Sequence, residues 1–152
     1  MKVNRSVPPP TVVPVLVYPD VGAAVEFLTG AFAFVERTRI GVDHRAQLAV
    51  GDDGAVIVAD AGNDRTPPPP GVATHVIRVR VDDVDAAFTR ARDHAAVVIE
   101  EPVDRPYGER DCTVEDPAGH RWQLAETTAD VAPEEFGQTT VTPWPAYQAD
   151  AD

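Results

Sequence analysis

Apolar and polar positions along the chain follow two periods, and the same succession occurs twice. "VLVYPDVGAAVEFL" (15–28) and "RVRVDDVDAAFTRA" (78–91) superpose at an offset of 63, with Asp20-Val21 on Asp83-Val84 and Ala23-Ala24 on Ala86-Ala87. Each copy passes from a β-branched strand to an Asp placed to cap a helix, then to apolar residues at helical spacing. That spacing predicts one helix face of Val21, Ala24, Val25, Leu28 and Phe32, and a second of Val84, Ala87, Phe88, Ala91 and Ala95. Strand-like stretches follow: "FVERTRIG", "RAQLAVGD" and "GAVIVADA" in the first copy, "AVVIEEPV", "RDCTVED" and "HRWQLAET" in the second. Asp-Gly and Asp-Pro-Ala-Gly turns punctuate them. The unit is β-α-β-β-β, written twice. The fold class it implies is α+β, with curved mixed sheets around a concave cleft and helices on the outer face.

The two modules occupy 11–62 and 73–128, joined by "NDRTPPPPGV" (63–72), whose proline run favours a stiff extended connector. Residues 1–10 read as an N-terminal arm and 129–152 as a C-terminal tail. The tail carries five acidic residues, no Lys or Arg, and the aromatics Phe136, Trp144 and Tyr147. Prolines at 133, 143 and 145 oppose a long helix there. Its aromatics lead us to expect a strap docked on its own domain or on a partner subunit.

With 152 residues, 43% of them hydrophobic, the chain suffices for one ordinary domain with a real core. Twenty-five acidic residues against 13 basic ones leave a net charge of −12, which repels phosphate backbones and anionic membrane surfaces. Nucleic acid and membrane are therefore not expected partners. The charge permits a cationic ligand without demanding one. No stretch reaches the roughly 20 apolar residues of a membrane span, and "MKVNRSVPPPTVV" lacks the apolar core of a secretory signal, so the expected location is cytoplasmic. Cys112 is the only cysteine and reads as a passive strand residue. No Ser, His and Asp arrangement or Cys and His pair has supporting context, and "GDDG" is a turn, not a phosphate cradle.

The duplicated module, together with "GHRWQLAE", "VDDVDAAFTRA" and "PYGERDCTVEDPAGHRW", resembles the glyoxalase, bleomycin-resistance and extradiol-dioxygenase superfamily, also called vicinal oxygen chelate proteins. Its branch with an Asp-Pro-x-Gly-His-x-Trp motif is the most similar. The resemblance implies a homodimer, and in metal-dependent members a divalent ion held by His, Gln or Glu from four strands. Transferring those positions through the internal repeat places them at Val13 and Val76, seven residues before each shared Asp, and at Val58 and Gln123, four residues past Gly54 and Gly119. Valine has no lone pair for a metal, and one amide cannot hold an ion that needs several donors. The expectation is no metal and no cofactor. A register shifted by one would promote His75. Its alternation with Ile77, Val79 and Val81 instead predicts a half-buried structural histidine. His120 and Trp122 are expected in the core, the indole N–H on a carbonyl, with His44 and His94 on loop or helix surface.

On the faces predicted to line the cleft, Val13, Val15, Val17, Val56 and Val58 form an apolar side, while Val76, Arg78, Arg80, Arg121 and Gln123 bring guanidinium and amide groups. Tyr107, in the loop "VDRPYGERDC", is a further candidate ligand contact. The mixture suits an amphipathic organic ligand, its body on valines and a carboxylate, phenolate or carbonyl on arginine. The alternative is that Arg78 and Arg80 pair with carboxylates across the sheet, Glu126 and Asp60 among the candidates. No catalytic residue is assigned. The resemblance leaves open a binding protein that sequesters a small molecule such as an antibiotic, an enzyme acting as lyase, isomerase or dioxygenase on a carbonyl or enol substrate, and a structural dimer with a filled cleft.

Overall fold

The computed structural model describes residues 2–136 and 141–144. The first module consists of β1 (Val15–Tyr18), α1 (Val21–Phe32), β2 (Val35–Ile40), β3 (Arg45–Val50) and β4 (Gly54–Asp60). The second repeats the order with β5 (Val76–Arg80), α2 (Val84–Asp93), β6 (Val97–Arg105), β7 (Glu109–Glu115) and β8 (Arg121–Thr127). Each helix begins as its sequence predicts. Asp20 accepts a hydrogen bond from the Ala23 amide at 2.8 Å, and Asp83 accepts one from the Ala86 amide at 3.0 Å, each cap contributing about 1 kcal/mol. α2 is additionally tied to its sheet, because the Val84 amide donates to the Glu126 carboxylate at 3.0 Å. α2 ends at Asp93, so Ala95 is not the helical residue its spacing suggests. His94 caps the helix, Ala95 turns with φ 69°, and Ala96 takes the buried place beyond it.

Each module forms a four-stranded sheet, in the orders β1-β4-β3-β2 and β5-β8-β7-β6, with the first pair parallel and the others antiparallel. A helix is needed between a strand and a later parallel partner, which is where α1 and α2 lie. One face of each sheet packs against helix, and α1 and α2 touch each other. Leu16, Leu48 and Val58 of the first sheet therefore share one core with Val114, Trp122 and Leu124 of the second. The Trp122 ring lies 5.2 Å from Phe32 and 5.6 Å from Phe34, across the boundary between modules.

This shared core turns the helix-free face of each sheet outward. On the first, Val15, Val35 and Ile40 stay exposed, as does Val76 on the second. The N-terminal arm folds over the first of these faces: the Gln47 side-chain amide donates to the Ser6 carbonyl at 3.0 Å. Arm residues from Val3 to Pro10 bound a groove of about 760 Å³ with Gln47, Ala49 and Ala55. Past β8 the chain crosses the β6–β7 turn, where the Thr128 amide donates to the Gly108 carbonyl at 2.8 Å. Gly108 has φ 85°, and a Cβ there would lie 2.3 Å from the Ala129 carbonyl oxygen, so only glycine fits beneath the crossing. Of the tail aromatics, Trp144 is exposed and Tyr147 lies outside the described residues. Among the described residues no helix is long and apolar enough to cross a membrane.

Candidate functional site

The outward face of the second sheet is organised in cross-strand rows. Val76 aligns with Arg121 and Glu115, Arg78 with Gln123 and Thr113, and Arg80 with Ala125 and Asp111. The sequence-predicted residues Val76, Arg78, Arg80, Arg121 and Gln123 therefore do share one face. On the first sheet the matching rows are Val15, Ile57 and Gln47, then Val17, Ala59 and Arg45. Val13, partly buried, continues β1 in the N-terminal direction, beside the Pro14 carbonyl that accepts from the Ile57 amide at 2.9 Å.

Val58 does not belong to this face. It is fully buried and pairs with Leu16, and with Val56 it packs under the helices. The reason is the place of the glycine in the hairpin. The outward pairs Ala49–Ala55 and Glu115–Arg121 each close five residues, so the two hairpins are equally long. Gly54 is the fifth of its five and Gly119 the fourth of its own, and counting from the two glycines shifts the parity by one. Ile57 is the counterpart of Gln123.

The polar groups of the second sheet are bound to one another. Arg78 donates to Gln123 Oε1 at 2.9 Å, to Glu109 at 3.1 Å and to Asp111 at 2.9 Å. Asp111 also accepts from Arg105 Nε at 2.9 Å, and Arg105 reaches Glu100. The Tyr107 hydroxyl stands 3.5 Å from Asp111, and Arg121 pairs with Glu115 at 3.3 Å. Cross-sheet pairing of Arg78 is thus what the structure shows, but Glu126 and Asp60 are not the partners. Glu126 caps α2, and Asp60 pairs with His44. Asp111, Glu109 and Arg105 were missed by sequence reasoning, although the alternation of Asp111 with the buried Cys112 was a signal that it shares the face of Gln123.

Asp111 is 2% exposed. Burial acts to raise its pKa, and the hydrogen bonds and charges of Arg78 and Arg105 outweigh it, holding the carboxyl below its ordinary value. A carboxylate depressed in the folded state contributes stability that is complete above its unfolded value, about 3.9, and lost as pH falls through the folded value. Urea unfolding followed as a function of pH should therefore show stability falling below about pH 4, with a shallower fall in Asp111→Asn. Equal slopes would remove Asp111 from the acid response.

The motif residues serve a different purpose. Asp116, 2% exposed, accepts from the Tyr18 hydroxyl at 2.6 Å, Trp122 Nε1 at 3.1 Å, the Ala118 amide at 3.1 Å and the His120 amide at 2.9 Å. The indole thus meets a carboxylate where a carbonyl was expected. Burial and the neighbouring Asp116 charge hold the Tyr18 phenol far above its ordinary pKa, so it remains a donor. His120 is buried, its Nε2 2.7 Å from the Val17 carbonyl, which makes Nε2 the protonated nitrogen. His75 is exposed, not half-buried, because it precedes the start of β5 and so escapes the strand's packing. Burial pushes the Cys112 thiol up to about 11, which suits an inert residue.

The metal positions transferred by resemblance do not fit a divalent ion. Val13, Val76 and Ile57 supply no lone pair. The Gln123 oxygen already accepts from a guanidinium, whose charge repels a cation at that spot.

The model of the glyoxalase/bleomycin resistance protein/dioxygenase superfamily matches residues 11–124. An uncharacterised protein of Mycobacterium tuberculosis is 33% identical over 136 residues, covering 84% of this chain and 80% of its own. The crystal structure of TioX from Micromonospora sp. ML1 is similar with a TM-score of 0.65 at 32% identity, covering 76% of this chain and 97% of TioX. A glyoxalase/bleomycin resistance protein/dioxygenase from Nocardioides shares the fold with a TM-score of 0.65 at 22% identity, covering 91% and 93% of the two chains. On the matched module pair and its motif, the chain belongs to the glyoxalase/bleomycin resistance protein/dioxygenase superfamily.

Proposed function

We propose that this protein is a metal-free small-molecule binding module that acts as a homodimer. In this reading the first sheet of one subunit and the second sheet of its partner enclose a cleft for an amphipathic organic ligand. The observation that carries it is the outward orientation of both helix-free faces, one lined by Val15, Ile57, Ala49 and Ala55, the other by the Arg78, Gln123 and Asp111 network. Val15 is exposed and Ile57, Ala49 and Ala55 are half-buried, and apolar groups left open and rimmed by polar ones mark surfaces that something covers. The N-terminal arm already borders the first face, and a second copy completes the wall of each, two such contacts closing a symmetric dimer. Val13 and Val76 serve as apolar lining, Arg78, Arg80, Arg121 and Gln123 as polar lining, and Tyr107 as a contact at the rim.

Two measurements test this. Light scattering coupled to size-exclusion chromatography should give twice the 16.3 kDa chain mass; a concentration-independent monomer overturns the shared cleft. Mass spectrometry of protein purified without a chelating tag should find substoichiometric metal and no tight uptake of Zn²⁺, Ni²⁺, Mn²⁺ or Fe²⁺. One tightly held ion per subunit would make an enzyme the better reading.

A further inference from the structure

We infer that the cleft selects an organic anion, a carboxylate or sulfonate on an apolar body, and that Arg80 and Arg45 read its charge. The inference rests on the proposed cleft and specifies the sign of its ligand. The net charge of −12 points toward a cation, but it is a sum over the whole chain. What a ligand meets is local.

On the outward face of the second sheet stand Arg78, Arg80, Arg105 and Arg121 together with Glu100, Glu109, Asp111 and Glu115. Every one of those carboxylates is already engaged: Glu109 and Asp111 by Arg78, Asp111 and Glu100 by Arg105, and Glu115 by Arg121. Arg80 alternates with the buried Val79 and so lies on the face of Arg78. Its neighbour across the parallel pair is Ala125, too small to shield it. Among the described residues it is the guanidinium of this face left without a carboxylate.

The first sheet adds to the same sign. Its outward rows, Val35 with Ala49 and Ala55, Thr38 with Gln47, Ile57 and Val15, and Ile40 with Arg45, Ala59 and Val17, contain no Asp or Glu. Arg45 stands in that third row, which corresponds in the repeat to the row of Arg80 and Asp111, and it has no ion-pair partner among the described residues. The second face balances four arginines against four carboxylates and leaves Arg80 unpaired, while Arg45 makes the first face net positive, each beside valine or alanine. Enclosure would strengthen the attraction of both for an anion, because charges interact more strongly where water is excluded.

The test is fluorescence titration of the full chain with anilinonaphthalene sulfonate, an amphipathic anion, and with N-phenyl-naphthylamine, which keeps the aromatic body without the charge. The sulfonate should bind the more tightly. Arg80→Ala and Arg45→Ala should each weaken it by about tenfold, the scale of a lost charged hydrogen bond, and leave the neutral dye unchanged. Unchanged neutral binding also shows that each variant keeps its fold. Equal binding of both dyes, insensitive to either substitution, overturns the anion inference while the cleft stands. If neither dye binds the unsubstituted protein, the cleft reading itself fails and the inference with it.

Discussion

Asp116→Ala should destabilise the protein by about 3–5 kcal/mol, on the scale of about 1–3 kcal/mol for each of two buried side-chain donors left unsatisfied. The carboxylate lies at the junction of the modules, where four donors converge on it: Tyr18 from β1, the Trp122 indole from β8, and two amides of its own loop. Its removal leaves the phenol and the indole without the acceptor they share, and an unmade bond in a core costs more than a made one contributes. Because Tyr18 and Asp116 are 98 residues apart, the loss falls on contact between modules. Asp116→Asn, which keeps one acceptor oxygen, should lie between. Urea unfolding gives both values, and a change under about 1 kcal/mol for the alanine variant would mean that water satisfies the stranded donors.

Trp122→Ala should cost a similar amount, about 3–5 kcal/mol, by a different route. The indole is fully buried, with Phe32 and Phe34 of the first module against its ring. Truncation opens a void between α1 and the second sheet, and rigid strands on one side limit how far the site can collapse. Trp122→Phe keeps one aromatic ring in the site and loses the bond to Asp116 with part of the indole's volume, so its cost should be clearly smaller. Equal losses in the two variants would show that the indole N–H, not its bulk, holds the modules together. Either outcome makes the motif tryptophan a structural residue, and ligand binding should follow folding in both variants.

Much of the fold was legible because its signals are local. A capping Asp accepts from an amide three residues on, so both helix starts could be read from the chain. Strand alternation placed Arg78, Gln123 and Val76 on one face without knowledge of their neighbours. Where a count had to start inside a turn, it failed: Gly54 stands one residue later in its hairpin than Gly119 does in the other, which put Val58 on the wrong face. His75 was assigned by extending the alternation of β5 one residue beyond the strand's start. The partners of Arg78 were beyond reach for another reason. Asp111 and Glu109 lie 33 and 31 residues away, and only the order β5-β8-β7 makes them neighbours.

The sequence by itself determined the repeat, the two periods, the caps and the chemical identity of the residues at the transferred metal positions, all of which depend on residue type and short spacing. Tertiary structure decided what those residues face. Packing both helices into one core sends the two helix-free sheet faces outward, and the strand order commits most of the second sheet's arginines to carboxylates while leaving Arg45 and Arg80 without one. Such pairings follow from distances in space between segments far apart in the chain, and no pattern of neighbours along the sequence encodes them.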